Sequence, residues 1–272
     1  SAQVKSSLIL ASLSSGNSIH IKEPKVTRDH TERMIEYCGG KIDVQNSLEG
    51  KKITLNKSNL SKISSYEVVG DFSSAAFIII AALISKKSKV LIKNVGLNAT
   101  RRGLLEVLLR MNANIKIVNQ RKTCNETCGD LIVESSNLKG IEVSDSIIPN
   151  IIDEIPILSV AASFAEGETV IKNASELKVK ESDRLKAISD GLEAMNIKHD
   201  MLEDGLIICG QNNNVSVSKE IDSFGDHRIA MSFLVAGMRS KEGIIVKDSK
   251  NIETSFPDFL NTMNALGMKI HG

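Results

Sequence analysis

Lys180-Glu181-Ser182-Asp183-Arg184 sets four charges and a hydroxyl side by side, directly ahead of an apolar stripe made by Leu185, Ile188, Leu192 and Met195. The spacing of the stripe predicts an amphipathic helix, with Lys180 and Arg184 four residues apart on one face of its first turn. Cations oppose the helix dipole there, at a cost of at most about 1 kcal/mol. The same mismatch stands ahead of two other periodic segments, at Arg28 (with His30 and Glu32) and at Arg101-Arg102. A bound anion would resolve it, and converging Arg and Lys side chains suit phosphate and carboxylate. A second set, Ser1-Ala2-Gln3, Gly70-Asp71-Phe72-Ser73-Ser74, Asp153-Glu154 and Gly225-Asp226-His227-Arg228, stands at the starts of apolar helices. Free N–H groups favour anions at such termini, although on composition alone ordinary capping by Ser and Asp is the better account of these residues.

The elements that must carry these residues recur. The stretches "SSLILASLSSGNSIHIKEP", "SAAFIIIAALISKKSKVLIKNV", "ILSVAASFAEGETVIKNA" and "IAMSFLVAGMRSKEGIIVKDS" each read as a small-residue-rich apolar helix, a polar turn and a β-branched strand. Their lysines, Lys22, Lys93, Lys172 and Lys247, lie roughly 70 to 80 residues apart, room for one supersecondary unit each. A second, periodic helix follows each strand, and further strands such as "KIDV" and "IKIV" follow some of those helices. The unit is therefore helix, strand, helix and one or two strands, with a leading strand in front: an α/β layered architecture. The Ser-, Lys- and Asn-rich "NKSNLSKISSYEVVG" predicts a domain junction near residues 66–70.

Composition removes several classes of function. Lys plus Arg (34) nearly balance Asp plus Glu (33), and there are seven Phe, two Tyr and no Trp. A nucleic-acid binder would show a basic surplus and stacking rings. The longest apolar run, Ala75 to Ile84, is about half of a membrane span and reads as a buried helix. Cys38, Cys124, Cys128 and Cys209 lack zinc-site spacing and read as reduced thiols, with Cys124 and Cys128 in a polar turn. No dinucleotide or phosphate-loop glycine motif and no nucleophile elbow is present. His20 and His271 read as structural, and His227 alone has a suggestive setting. The chain starts on Ser1 and runs straight into an apparent helix, so a start within a longer protein is expected.

At "DEIPILSVAASFAEGETVIKNASELKVKESDR" (Asp153 to Arg184), "GDHRIAMSF" (Gly225 to Phe233), "TSFPDF" (Thr254 to Phe259) and "SAQVKS" (Ser1 to Ser6), in order over nearly all 272 residues, the chain resembles the 3-phosphoshikimate 1-carboxyvinyltransferase (EPSP synthase) family. The resemblance implies the enolpyruvyl transferase fold: two inside-out α/β barrel lobes built from β-α-β-α-β-β repeats. Four of six repeats are expected, with residues 1–68 as the last repeat of the N-terminal lobe and 69–272 as the C-terminal lobe. About the first third of the family's length, with its lysine-serine-arginine segment and glycine-rich loop, has no counterpart.

The implied reaction transfers the enolpyruvyl group of phosphoenolpyruvate to the 5-hydroxyl of shikimate 3-phosphate, releasing phosphate, with no metal and no cofactor. The family roles fall on Asp153 as base, on Glu181 as the proton exchanger at the methylene carbon, and on Lys180 as substrate contact and charge balance. Ser1, Ala2, Gln3 and Arg28, with Asp153 and Lys180, would hold shikimate 3-phosphate. Arg184 and Arg228, with Gln3 nearby, would clamp phosphoenolpyruvate, and His227 would line the cleft. Thr254 stands where the common pattern has a phosphoenolpyruvate-binding lysine. "SAQVK", "RDHTE" (Arg28 to Glu32) and "NATR" (Asn98 to Arg101) resemble the second class of the family, whose members are often glyphosate-tolerant. The resemblance further implies a cytoplasmic protein, monomeric when complete, with no nucleic-acid or membrane partner and with the rest of the N-terminal lobe as its structural complement. Two alternatives stay open: a UDP-N-acetylglucosamine enolpyruvyl transferase, disfavoured by Lys180 to Arg184, and a non-catalytic remnant. The 272 residues alone are expected not to turn over.

Overall fold

The computed structural model describes every residue except 48, 58, 212–214 and 272; residue 58 of the expected linker thus lies outside the described residues. The first unit runs α1 (Ala2–Ser15), β1 (Ile19–Glu23), α2 (His30–Tyr37), β2 (Ile42–Ser47) and β3 (Gly50–Leu55). The second runs α3 (Phe72–Ile84), β4 (Lys89–Gly96), α4 (Gly103–Arg110), β5 (Asn114–Thr123) and β6 (Glu126–Glu134). The third begins with two short helices, α5 (Ile148–Ile151) and α6 (Ile155–Ser163), and continues through β7 (Glu166–Ile171), α7 (Arg184–Ala194), β8 (His199–Met201) and β9 (Leu206–Gln211). The fourth holds β10 (Ile221–Asp222), α8 (His227–Ala236), β11 (Val246–Lys247), α9 (Ile252–Ser255) and α10 (Phe259–Ala265).

The repeat is visible in the pairing. Three antiparallel sheets share one order, β1-β3-β2, β4-β6-β5 and β7-β9-β8, in which the last strand of the unit inserts between the other two. The leading strand shrinks to single parallel bridges, Gly70 with Val95 and Glu142 with Val170, and to the two-residue pairing of β10 with β11 in the fourth unit. Parallel pairing across a helix is what a strand-helix-strand crossover requires. Lys172 falls one residue beyond β7, and Cys128, expected in a turn, is fully buried within β6.

Burial follows from composition. The α3 run FSSAAFIIIAALI is apolar almost all round, and only Ser74 and Ile78 escape full burial. Every residue of α6 is buried, as are seven of ten in α8. Helices apolar on all faces belong inside, and α3, α6 and α8 pack on one another with the sheets around them. The site-bearing α7 docks on α8 through Gly191, where an added Cβ would lie 2.0 Å from the Phe233 ring. By contrast α1, the equivalent helix of the first unit, buries only Lys5, Ile9 and Ser12. That unit has its own small core of Ile9, Ile35, Ile53 and Leu55, separate from the large one.

Candidate active site

Asp153 lies in the corner of a 114° bend between residues 145–151 and α6. Pro156 in the first turn of α6 restarts the helix there at little cost, because the missing N–H would be unpaired anyway. Side chains from all four units meet at this corner. Arg28 Nη2, from just ahead of α2, donates to Asp153 Oδ2. Arg184 Nη1 stands 3.5 Å and Lys180 Nζ 3.8 Å from Oδ1. Arg101 Nη1, from just ahead of α4, is 3.9 Å from Oδ2, and Arg228 Nη1 of α8 donates to the Asp153 carbonyl at 3.1 Å. Burial alone would raise the Asp153 carboxyl, but Arg228, Arg28 and Lys180 outweigh it and hold the pKa at about 2.

One expectation about the KESDR segment is corrected. Lys180 and Arg184 do not share a helix face: Lys180 ends a 3-10 turn over Ser175–Val179 with extended backbone, and α7 starts only at Arg184. Asp183 takes the N-cap, its carboxylate accepting from the Lys186 amide at 3.1 Å, and so fixes the helix start at Arg184, beyond Lys180. The two cations converge on Asp153 through the bend instead.

The dipole mismatch at Arg184 is answered by carboxylates. Its side chain is fully buried, Nε donating to Asp226 Oδ2 at 2.7 Å and Nη2 to Glu181 Oε2 at 2.5 Å. Nη1 faces Asp153 without a hydrogen bond. Asp226 also accepts from the amides of Arg228 (2.9 Å) and Ile229 (3.4 Å), capping α8. It is presented by a left-handed turn at Phe224 and Gly225 (φ 52° and 69°), the second of which glycine adopts freely. Burial opposes ionisation of Asp226, yet the hydrogen bond and charge of Arg184 and the two amides bring its pKa below the usual value. Glu181 is half exposed, and Lys180 also pairs with Glu176 at 2.5 Å.

Beneath the corner lies a second layer, in which Arg101, Ser73 and Glu154, named separately by the sequence at three helix starts, are joined. Arg101 Nη2 donates to Ser73 Oγ at 2.5 Å, and that hydroxyl donates to Glu154, which is 2 % exposed. Arg228 Nη1 stands 3.7 Å from the same carboxylate. Burial pushes the Glu154 carboxyl up, against the pull of Arg101, Ser73 and Arg228. The available signal was weak: a serine in the first turn of an otherwise apolar helix and an acid beside Asp153. Arg102, grouped with Arg101 by sequence, is exposed.

Ser1, Ala2 and Gln3 open α1, where the Ser1 hydroxyl accepts from the Gln3 amide at 3.3 Å. Gln3 is exposed. The "RDHTE" and "NATR" segments, 70 residues apart, are in contact. Asn98 Nδ2 donates to Asp29 Oδ1 (2.7 Å) and Glu126 Oε2 (3.1 Å), and His30 Nδ1 lies 2.6 Å from Glu126 Oε1. Beside them a cavity of about 290 Å³ is lined by His30, Met34, Tyr66, Val69 and Phe72, with Asp71 and Arg101 in its wall. Half-buried His227 has its imidazole pushed down by burial and by Arg228, and is neutral at pH 7. Thr254 spends its hydroxyl on the Asn251 carbonyl at 2.7 Å and brings no cation.

Residues 1–263 match the family model described as EPSP synthase (3-phosphoshikimate 1-carboxyvinyltransferase). A 3-phosphoshikimate 1-carboxyvinyltransferase of Magnetococcus marinus is 43% identical over 270 residues, covering 99% of this chain and 60% of that protein. One of Thermoanaerobacter sp. is 44% identical over 98% of this chain and 62% of its own length. The solved EPSP synthase from Acinetobacter baumannii superposes with a TM-score of 0.92 at 40% identity, over 100% of this chain and 61% of that one. The enolpyruvyl transferase NikO from Streptomyces tendae shares the fold, with a TM-score of 0.67 at 15% identity, over 94% of this chain and 56% of that one. The chain thus spans about 60% of the length of the curated relatives it matches.

Proposed function

This chain belongs to the EPSP synthase family, and from that premise we propose that it carries the acid–base and anion-binding half of an enzyme joining phosphoenolpyruvate to the 5-hydroxyl of shikimate 3-phosphate. The observation that carries the reading is the convergence of Arg28, Lys180 and Arg184 on the Asp153 carboxylate, with Arg228 on the carbonyl of the same residue. The two substrates bring two phosphates and two carboxylates, and these cations are their counter-charges. Arg28 and Lys180, with the α1 start at Ser1, Ala2 and Gln3, serve shikimate 3-phosphate. Arg184 and Arg228, with Gln3 nearby, serve phosphoenolpyruvate.

Asp153 at a pKa of about 2 is a poor base. As substrate anions claim the cations, its carboxylate loses the partners that depress it, and its pKa climbs while the 5-hydroxyl arrives. Asp153 then takes the hydroxyl proton as the oxygen bonds to C2 of phosphoenolpyruvate. Glu181 delivers a proton to the methylene carbon, giving a tetrahedral adduct with a methyl group. Return of a methyl proton to Glu181 and breakage of the C2–O bond to phosphate restore the double bond, and the departing phosphate carries off the proton held by Asp153, which leaves both carboxyl groups as they began. Charge developing on the departing phosphate is stabilised by Arg184 and Arg228.

We assign residues 1–68 to one lobe and 69–272 to the other, in keeping with the two separate apolar cores. The chain spans about 60% of the length of its curated relatives, and we assign turnover to a protein of their full length. The test is phosphate release from the two substrates, measured for the chain alone and for the chain joined to the stretch of the Magnetococcus marinus relative that it does not cover. Activity in the fusion and none in the chain is expected. An inactive fusion that binds neither substrate removes the reading, and normal turnover by the chain alone removes the claim of incompleteness.

A further inference from the structure

The first unit holds a buried ionic cluster apart from the site. Lys5 of α1 places Nζ 2.9 Å from Oε1 of Glu23, the last residue of β1, and 2.7 Å from Oε1 of Glu32 in the first turn of α2. The three are only 4 %, 7 % and 4 % exposed. Thr27 Oγ1 donates to Glu23 Oε1 at 2.5 Å, and the hydroxyls of Ser6 and Thr31 lie 2.6 Å apart. Glu23 Oε2 and Glu32 Oε2 have no hydrogen-bond donor among the described residues. Two carboxylates therefore share one ammonium out of water.

Such a cluster is a poor source of stability, because desolvating three ions consumes most of their attraction and apolar side chains of like volume do as well or better. What it supplies is registration of the elements that meet there. Each ion is tied closely in sequence to the shikimate 3-phosphate side: the Lys5 amide donates to the Ser1 carbonyl at 3.2 Å, Glu32 stands in the first turn of the helix that Arg28 precedes, and Glu23 and Thr27 flank the loop that leads to Arg28. We propose that Lys5, Glu23 and Glu32 are positioning residues that lock the Ser1–Gln3 helix start and Arg28 into a single geometry for shikimate 3-phosphate. This rests on the substrate reading above.

Shikimate 3-phosphate is titrated calorimetrically into the 272-residue chain and its variants, with circular dichroism confirming the fold. Lys5→Met is expected to bind about tenfold more weakly and Lys5→Arg within about twofold of the parent. The neutral variant Lys5→Met/Glu23→Gln/Glu32→Gln carries no buried charge, and folds but binds as weakly as Lys5→Met. Ile9→Val, a loss of core packing in the same unit, lowers the melting temperature without changing affinity. Parent-like binding by the neutral variant, or an Ile9→Val loss equal to that of Lys5→Met, overturns the proposal. Absence of binding by the parent chain would count against the substrate reading, and amide exchange then decides the cluster alone. Faster exchange at residues 27–32 in Lys5→Met, reversed in Lys5→Arg, supports the lock; unchanged exchange overturns it.

Discussion

Asp153 is held by positive charge, and its substitution has two separable effects. Asp153→Asn in the longer enzyme should lower kcat by about 10²–10⁴-fold, the usual worth of a positioned base; near-parental turnover would remove it from that role. In the chain itself, the fall from an ordinary 3.8 to about 2 makes the ionised group worth about 2 kcal/mol of stability at neutral pH. A carboxyl whose folded pKa is depressed contributes fully above its unfolded value and loses the contribution as pH falls through its folded value. The gap in unfolding free energy between parent and Asp153→Asn should therefore be present at pH 5 and shrink between pH 4 and 2. A gap constant over that window would contradict the assigned charge environment. Arg228→Ala should raise KM for phosphoenolpyruvate roughly ten- to hundredfold, as loss of a charge-assisted contact does, while KM for shikimate 3-phosphate changes little. A change confined to shikimate 3-phosphate would reverse the assignment of that clamp.

Helices show how much was legible and why. The α3 run could be read as a buried helix because its apolar residues leave no polar face, and the repeat was readable because four such helices recur ahead of β-branched strands. The 1-3-2 order of the sheets was not, since it rests on pairing the first strand with the last, between residues 28 to 45 apart. Lys180 was misplaced because charge spacing alone cannot say which of several polar residues caps a helix; Asp183 wins by binding the Lys186 amide. The link from Arg101 through Ser73 to Glu154 escaped because its members stand at three helix starts, 28 and 81 residues apart pairwise along the link, and only the fold joins them. Gly191 is the clearest element-scale test. Its Cα sits against the Phe233 ring, so Gly191→Ala must push α7 off α8, with an expected loss of about 1–3 kcal/mol. A melting temperature equal to the parent's would show that the ring yields freely.

Across the whole molecule stability is uneven. α1 holds the place in its unit that α3, α6 and α8 hold in theirs, yet Val4, Leu8 and Leu10 are 59 %, 43 % and 55 % exposed. Among the described residues, four buried aliphatic side chains form the core of the first unit, against a continuous core spanning the other three units. Amide hydrogens of α1 and of β1 to β3 should exchange well ahead of those of α3 and α6, through an opening that leaves the large core intact. Equal protection in α1 and α6 would mean that the two cores melt as one.

The gathering of Asp153's neighbours from four units also bears on what a binding measurement reports. No single unit, and no pair of adjacent units, contains the cations around Asp153; Arg28, Arg101, Arg184 and Arg228 each arrive on a different stretch of chain. Occupancy by ligand is consequently a census of molecules in which every unit is in place. A lesion as remote as one at Gly191 should first register as a smaller fraction of active sites in a stoichiometric titration, with the surviving sites at unaltered affinity, before any helix is lost from the circular dichroism spectrum.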